Sequence, residues 1–154
     1  MNFPGKYKIV PVIKTTDYND GVDSDSINMG KANRCTFILT FGAITGNAVL
    51  TVYSGATDAA KTSALTFTYA IGGAAIGSAS CDVLAADTSA ATLTLTGTTY
   101  ANMMLVIQVN ASDMDTANNE EWLTLSISNA ASAGILHAVA IVEPRFCDGT
   151  TVLA

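Results

Sequence analysis

Charge is scarce in this sequence. Of its 154 residues only 13% are charged, seven basic against thirteen acidic, which leaves a net charge of -6. Globular domains usually carry about 25%. A chain this poor in cations lacks the basic face that displaces counterions from phosphates, which argues against electrostatic nucleic-acid binding. Histidine occurs once, at His137. A multi-histidine metal site is therefore impossible, and a triad would need His137 beside a nucleophile and an orienting acid. The three cysteines, Cys35, Cys81 and Cys147, show no CxxC or Cys/His ligand spacing. Neither a disulfide framework nor a zinc site is supported, and reduced, mostly buried thiols are expected. Long helical stripes are missing too. The alanine-rich windows 56–64 and 129–134 hold no i, i+3, i+4, i+7 pattern beyond one turn. Residues 62–81 are uncharged and reach membrane-spanning length, but they are dense in Thr, Ser and Gly and read as strands and a turn. The first fourteen residues lack an apolar core and a small-residue cleavage site, and Pro4 and Pro11 break any helix. The protein is expected to be made and used without crossing a membrane.

What is present is apolar and alternating. Hydrophobic residues make up 49% of the chain, which excludes intrinsic disorder. A domain of this size buries about 68–70% of the surface its unfolded chain exposes, enough for a core without staples. Its surface must be covered by Thr, Ser, Asn and Ala, or be hidden against another chain. Cys35, Phe37, Leu39 and Phe41 alternate with Thr36, Ile38 and Thr40, and Leu65, Phe67, Tyr69 and Ile71 with Thr66, Thr68 and Ala70. The same period of two sets Leu93 and Leu95 against Thr92, Thr94 and Thr96, and Leu123, Leu125 and Ile127 against Thr124, Ser126 and Ser128. Threonine is expected to form the outer face. Further strands are expected near 7–13, 48–53, 78–84, 103–109 and 135–142. The fold expected is all-β: a single jelly-roll-like β-sandwich of about nine strands, with an extended N-terminal arm.

The basic residues crowd into the start of the chain. Five of the seven precede position 35, and from 35 to 144 the only base is Lys61, against eight acids. Residues 1–26 therefore read as an arm followed by an acidic loop rich in turn formers, with Gly21 free to take positive φ, and 27–154 as the sandwich. A free terminus has no reason to carry so many apolar side chains unless they are buried. The arm is expected to dock as an edge strand on its own sandwich or on a neighbour's. Phe3, Tyr7, Ile9 and Ile13 are the candidate interface residues, with Tyr7 and Ile9 as anchors on one face with Pro11 and Ile13.

No motif points to chemistry. His137 aligns with Ile135, Val139 and Ile141 along one strand face, as a core or interface residue would. Cys35 follows Arg34 at the start of a strand, a poor setting for a reactive thiol. The stretch GGAAIG at 72–77 is followed by no Lys-Ser/Thr and no helix, so it reads as a hairpin connection and not a phosphate loop. Two acidic clusters, Asp17, Asp20, Asp23 and Asp25, and Asn110, Asp113, Asp115, Glu120 and Glu121, lack the spacing of an EF-hand and read as solvated turns. Trp122 and the tyrosines fall in different strands, so core and interface packing is the reading preferred over a carbohydrate platform. No catalytic, cofactor or metal site is expected.

Several segments in order, KYKIVPVI, NRCTFILTFGAITGNAVLTVYSG, ALTFTY, MMLVIQVNASDMD and LTLSISNAASAGILHAVAIV, resemble a family of small virion-associated proteins of tailed bacteriophages. The resemblance implies a capsid decoration or cement protein on the virion surface, assembled in the host cytoplasm. The implied partners are the major capsid protein and further copies of the chain, most simply as a homotrimer at threefold or quasi-threefold lattice sites. A tail or baseplate component and a carbohydrate-binding β-sandwich module are the alternatives. EPRFCDGTTVLA at the C-terminus falls outside the resemblance.

Overall fold

The computed structural model describes residues 6–128, 134–146 and 151–153. Phe3, Cys147 and the alanine-rich window from 129 lie outside these residues, apart from Gly134. The chain is nearly all β, and its strands form two antiparallel sheets of six strands each. The first sheet runs β1 (Lys8–Asp17), β12 (Gly134–Pro144), β4 (Ala32–Ile44), β10 (Met104–Asn110), β7 (Phe67–Ile71) and β8 (Thr88–Ala90). In the second, β11 (Trp122–Ile127) pairs with β5 (Ala48–Gly55) at the centre. The short β2 (Val22–Asp23) and β3 (Ile27–Asn28) flank β11 on its other side, and β6 (Ser63–Ala64) and β9 (Thr92–Leu95) flank β5.

Alternation does the folding work. Cys35, Phe37, Leu39 and Phe41 of β4 point inward and are buried, as are Leu105, Ile107 and Val109 of β10 beside them. From the second sheet, Leu50 and Val52 meet Leu123, Leu125 and Ile127, and all these side chains join one core cluster. The two inner faces thus pack in a sandwich-like arrangement.

Of the nine expected strands, eight recur within a few residues of their expected bounds. The exception is 78–84. That segment forms consecutive turns closed by Ser78 N–H to Ala75 O, Cys81 N–H to Ser78 O and Val83 N–H to Ser80 O, and it touches the sheet only through a Gly72–Leu84 bridge. Its large apolar side chains, Val83 and Leu84, are exposed, so the segment has no apolar row for a strand to bury. The real partner of β7 is β8, farther along the chain. Twelve strands result among the described residues, because β2, β3, β6 and β8 are short and sit among turn-forming residues. A single helical turn, α1 (Gly97–Tyr100), was also not expected; it buries Tyr100 edge-on against Phe41 with ring centroids 6.1 Å apart.

β1 is the edge strand of the first sheet and pairs with β12 of its own chain. The described part of this N-terminal region thus contributes to both sheets, β1 to the first and β2 to the second. Gly21 takes φ +83° in the turn between them, as expected. The expected grouping of Tyr7, Ile9, Pro11 and Ile13 on one face is corrected by the backbone. Register shifts fall between Pro11 and Ile13 and again between Ile13 and Thr16, and such a bulge moves later side chains to the opposite face. Val10, Val12 and Ile13 are therefore buried, while Ile9 remains 57% exposed and Pro11 stands out beside it.

Candidate functional site

The residues singled out for chemistry are scattered and mostly engaged in holding turns. Asp17 Oδ1 accepts from the backbone N–H groups of Asn19 and Gly134. Asp23 accepts from the Ser126 hydroxyl and from Lys61 Nζ, the latter at 2.7 Å. In the second acidic cluster Asp113 Oδ2 accepts from the backbone and side-chain N–H groups of Asn110, closing a capping box. Asp115 caps the next turn through Asn118. Glu120 turns inward instead, accepting from Ser54 Oγ at 2.6 Å and Ser63 Oγ at 3.2 Å. Among the described residues no group of three or more His, Cys, Asp or Glu is placed to hold a metal ion.

Cys35 is free and buried, and burial pushes its thiol well above the ordinary range, so it is held protonated. Cys81 is free and half-buried in the turns after β7. The Gly-rich stretch at 72–77 begins the connection from β7 to β8, two antiparallel neighbours, with Gly77 at φ +90°. Tyr18 and Tyr100 are core residues, whereas Tyr53 and Trp122 lie on the outward face of the second sheet, on adjacent strands. Open clefts are shallow. One of about 340 Å³, lined by Pro11, Ile13, Lys14 and Asp25 among others, lies where β1 parts from β2.

The two outward faces differ in kind. Residues paired across antiparallel strands share a face, so the register assigns them. On the second sheet Thr92, Thr94, Ser126 and Asp23 point outward beside exposed Val49, largely the Thr- and Ser-rich exterior expected from the sequence, while Thr51 on the same side is buried. Even there Thr124 is buried: its hydroxyl lies 2.8 Å from Ser26 Oγ, which also accepts from the Ala59 backbone N–H.

The first sheet turns a different surface to solvent. One row crosses five strands as Pro11, Val139, Ile38, Val106 and Ala70, the last of them already buried. The next row begins Ile9, Ile141, Thr36, and a third sets His137 beside Thr40 and Met104. Ile135 closes the face over Gly42 and is 46% exposed. His137 thus stands on the outward face, neither in the core nor in a constellation of acids. The threonine exterior holds for one sheet only. This apolar face could not be assigned from alternation, because both faces of β12 are rich in apolar residues.

Of the candidate interface residues, Ile9 belongs to this face, Ile13 is in the core, Tyr7 is half-buried just before β1, and Phe3 lies outside the described residues. No protein-family model matches the chain, and no curated protein matches it.

Proposed function

We propose that this protein is a non-enzymatic structural component of a tailed-phage virion, a capsid decoration or cement protein that attaches to the outer capsid lattice as an oligomer, most simply a trimer, and stabilises the head. Its fold is then a jelly-roll-like β-sandwich whose task is to present surfaces rather than to perform chemistry. The observation that carries this reading is the outward face of the first sheet, where Val139, Ile38 and Val106 form an apolar row with Ile9 and Ile141 beside it, on a chain with 13% charged residues. Extended apolar patches of this kind mark protein contacts. The net charge of -6 favours protein partners over nucleic acid, with the major capsid protein as the partner outside the oligomer.

The test is the protein's position in purified particles. Heads and tails are separated, each is probed for this chain, and the heads are imaged by electron cryomicroscopy. Density for the protein on the outer lattice of heads is the expected result. Finding it in tails alone would assign it to the tail or baseplate, and its absence from both would overturn the reading.

A further inference from the structure

We infer that the outward face of the first sheet is the contact between copies of this chain, packed sheet against sheet. This rests on the reading that the protein works by burying surface, and it names both the surface and the occupant. Charge selects the occupant. Two chains of net charge -6 repel wherever their carboxylates meet. The interior rows of this face carry no charge, and its charged side chains stand at the rim. Arg34 and Glu143 pair at 3.0 Å at one end, Asp17 lies at the other, and Lys14 sits on the edge strand. The acidic loops project elsewhere, with Asp23 on the second sheet and Asp113 and Asp115 in the turns after β10. A second copy can therefore cover the interior rows of this face without burying like charges.

Size and shape fit the same occupant. Five strands about 4.8 Å apart, five to thirteen residues long and about nine on average at about 3.4 Å each, give a face of roughly 450–650 Å². Two such faces together bury roughly 900–1,300 Å², around the threshold of about 1,000 Å² that a specific interface clears. Both members carry the same strand twist, so they can stack as aligned sheets about 10 Å apart with β-branched side chains interdigitating.

The test is the mass of the full-length protein in solution with no capsid present, by light scattering and sedimentation velocity at micromolar concentration. An even multiple of 15.9 kDa is expected, because a face packed on its own copy is a twofold contact, and an odd multiple overturns the face-to-face packing. Val139→Lys places a charge at the centre of the face and should weaken self-association at least about 100-fold while the far-ultraviolet spectrum is retained. Thr94→Lys, the same charge on the outward face of the second sheet, should leave association unchanged. If Val139→Lys fails to fold, Thr36→Lys replaces a residue that is already polar on the same face and should dissociate the oligomer in its place. A monomeric wild-type chain, or folded Val139→Lys or Thr36→Lys that associates normally, overturns the inference. The two readings fail separately: a monomer found on capsids overturns only the self-contact, and an oligomer absent from every virion fraction overturns only the virion role.

Discussion

Glu120 is the one charged side chain among the described residues that the fold buries, at 4% exposure, and its replacement tests how the second sheet is closed. Ser54 and Ser63 face each other across β5 and β6, and the Glu120 carboxylate accepts from both hydroxyls, tying the two strands to the segment before β11. Ser54 is fully buried and points into the core opposite Leu123, so no water can replace a lost acceptor there. A hydrogen bond to a charged group contributes about 1.5–3 kcal/mol, and a buried hydroxyl left unpaired costs about 1–3 kcal/mol. The longer contact to half-buried Ser63 adds less, and removing a buried carboxylate recovers part of its desolvation cost. Glu120→Ala should therefore destabilise the protein by about 2–3 kcal/mol. With a urea dependence of about 2 kcal/mol per M, the midpoint falls by about 1–1.5 M, and the melting temperature drops by about 5–10 °C. The single tryptophan, Trp122, lies two residues away on β11 and reports unfolding by fluorescence. Ser54→Ala supplies the other corner of a double-mutant cycle, in which the two losses should overlap by at least about 1 kcal/mol. A Glu120→Ala protein within about 0.5 kcal/mol of wild type, or losses that simply add, would refute this account of the buried carboxylate.

Three further outcomes follow from the core. A Cβ on Gly134 would collide with the ring of fully buried Tyr18, so Gly134→Ala should cost about 1–3 kcal/mol, and a Tyr18→Leu background, which clears the ring, should recover much of that loss in urea titrations. Native-state titration with an aromatic disulfide reagent at pH 8 should leave Cys35 unmodified until the chain unfolds, because burial keeps its thiol protonated and inaccessible, whereas Cys81 should react; fast labelling of Cys35 would refute its placement. Burial also raises Tyr18, with the charge of Asp17 adding to the shift, and Tyr100, with Tyr69 adding to it. A proton held more tightly by the folded state makes stability complete below the unfolded value and lost as pH rises above it. Stability should thus be level to about pH 8.5, then fall by up to about 1.4 kcal/mol per pH unit for each group, the thiol first and the tyrosines from about pH 10. Cys35→Ala should remove the first part of that slope, and an unchanged slope would show that another group causes it.

Where apolar and polar residues alternate cleanly, the sequence was enough. β9 with Leu93 and Leu95 inward, and β11 with Leu123, Leu125 and Ile127 inward, follow from a period of two and one buried face. The short strands β2 and β3 were not legible. Asp, Ser and Gly around them favour turns locally, and only pairing with β11, about a hundred residues away, makes them strands. The position of Ile13 was hidden for a related reason, since the bulge that moves it inward arises from fitting β1 to β12, whose partners are remote in sequence.

The outward face of the first sheet was the least legible feature, and β12 shows why. Its inward side chains are Leu136, Ala138, Ala140 and Val142, and its outward ones are Ile135, His137, Val139 and Ile141. Ranked by size alone, the outward set would be placed inside. The inner space beside β12 is already filled from β4, where Phe37 lies opposite Ala140 and Leu39 opposite Ala138, so only small residues fit there. Large residues against small ones across neighbouring strands is how two stacked sheets reach native packing density. The larger β-branched residues are then left on the other side, facing away from the second sheet. Alternation reveals which residues share a face, but which face is the core depends on volumes contributed by strands distant in sequence. A strand that is apolar on both sides is typical of sheets covered on both sides. In this protein one cover is the second sheet, and the inferred self-contact would supply the other.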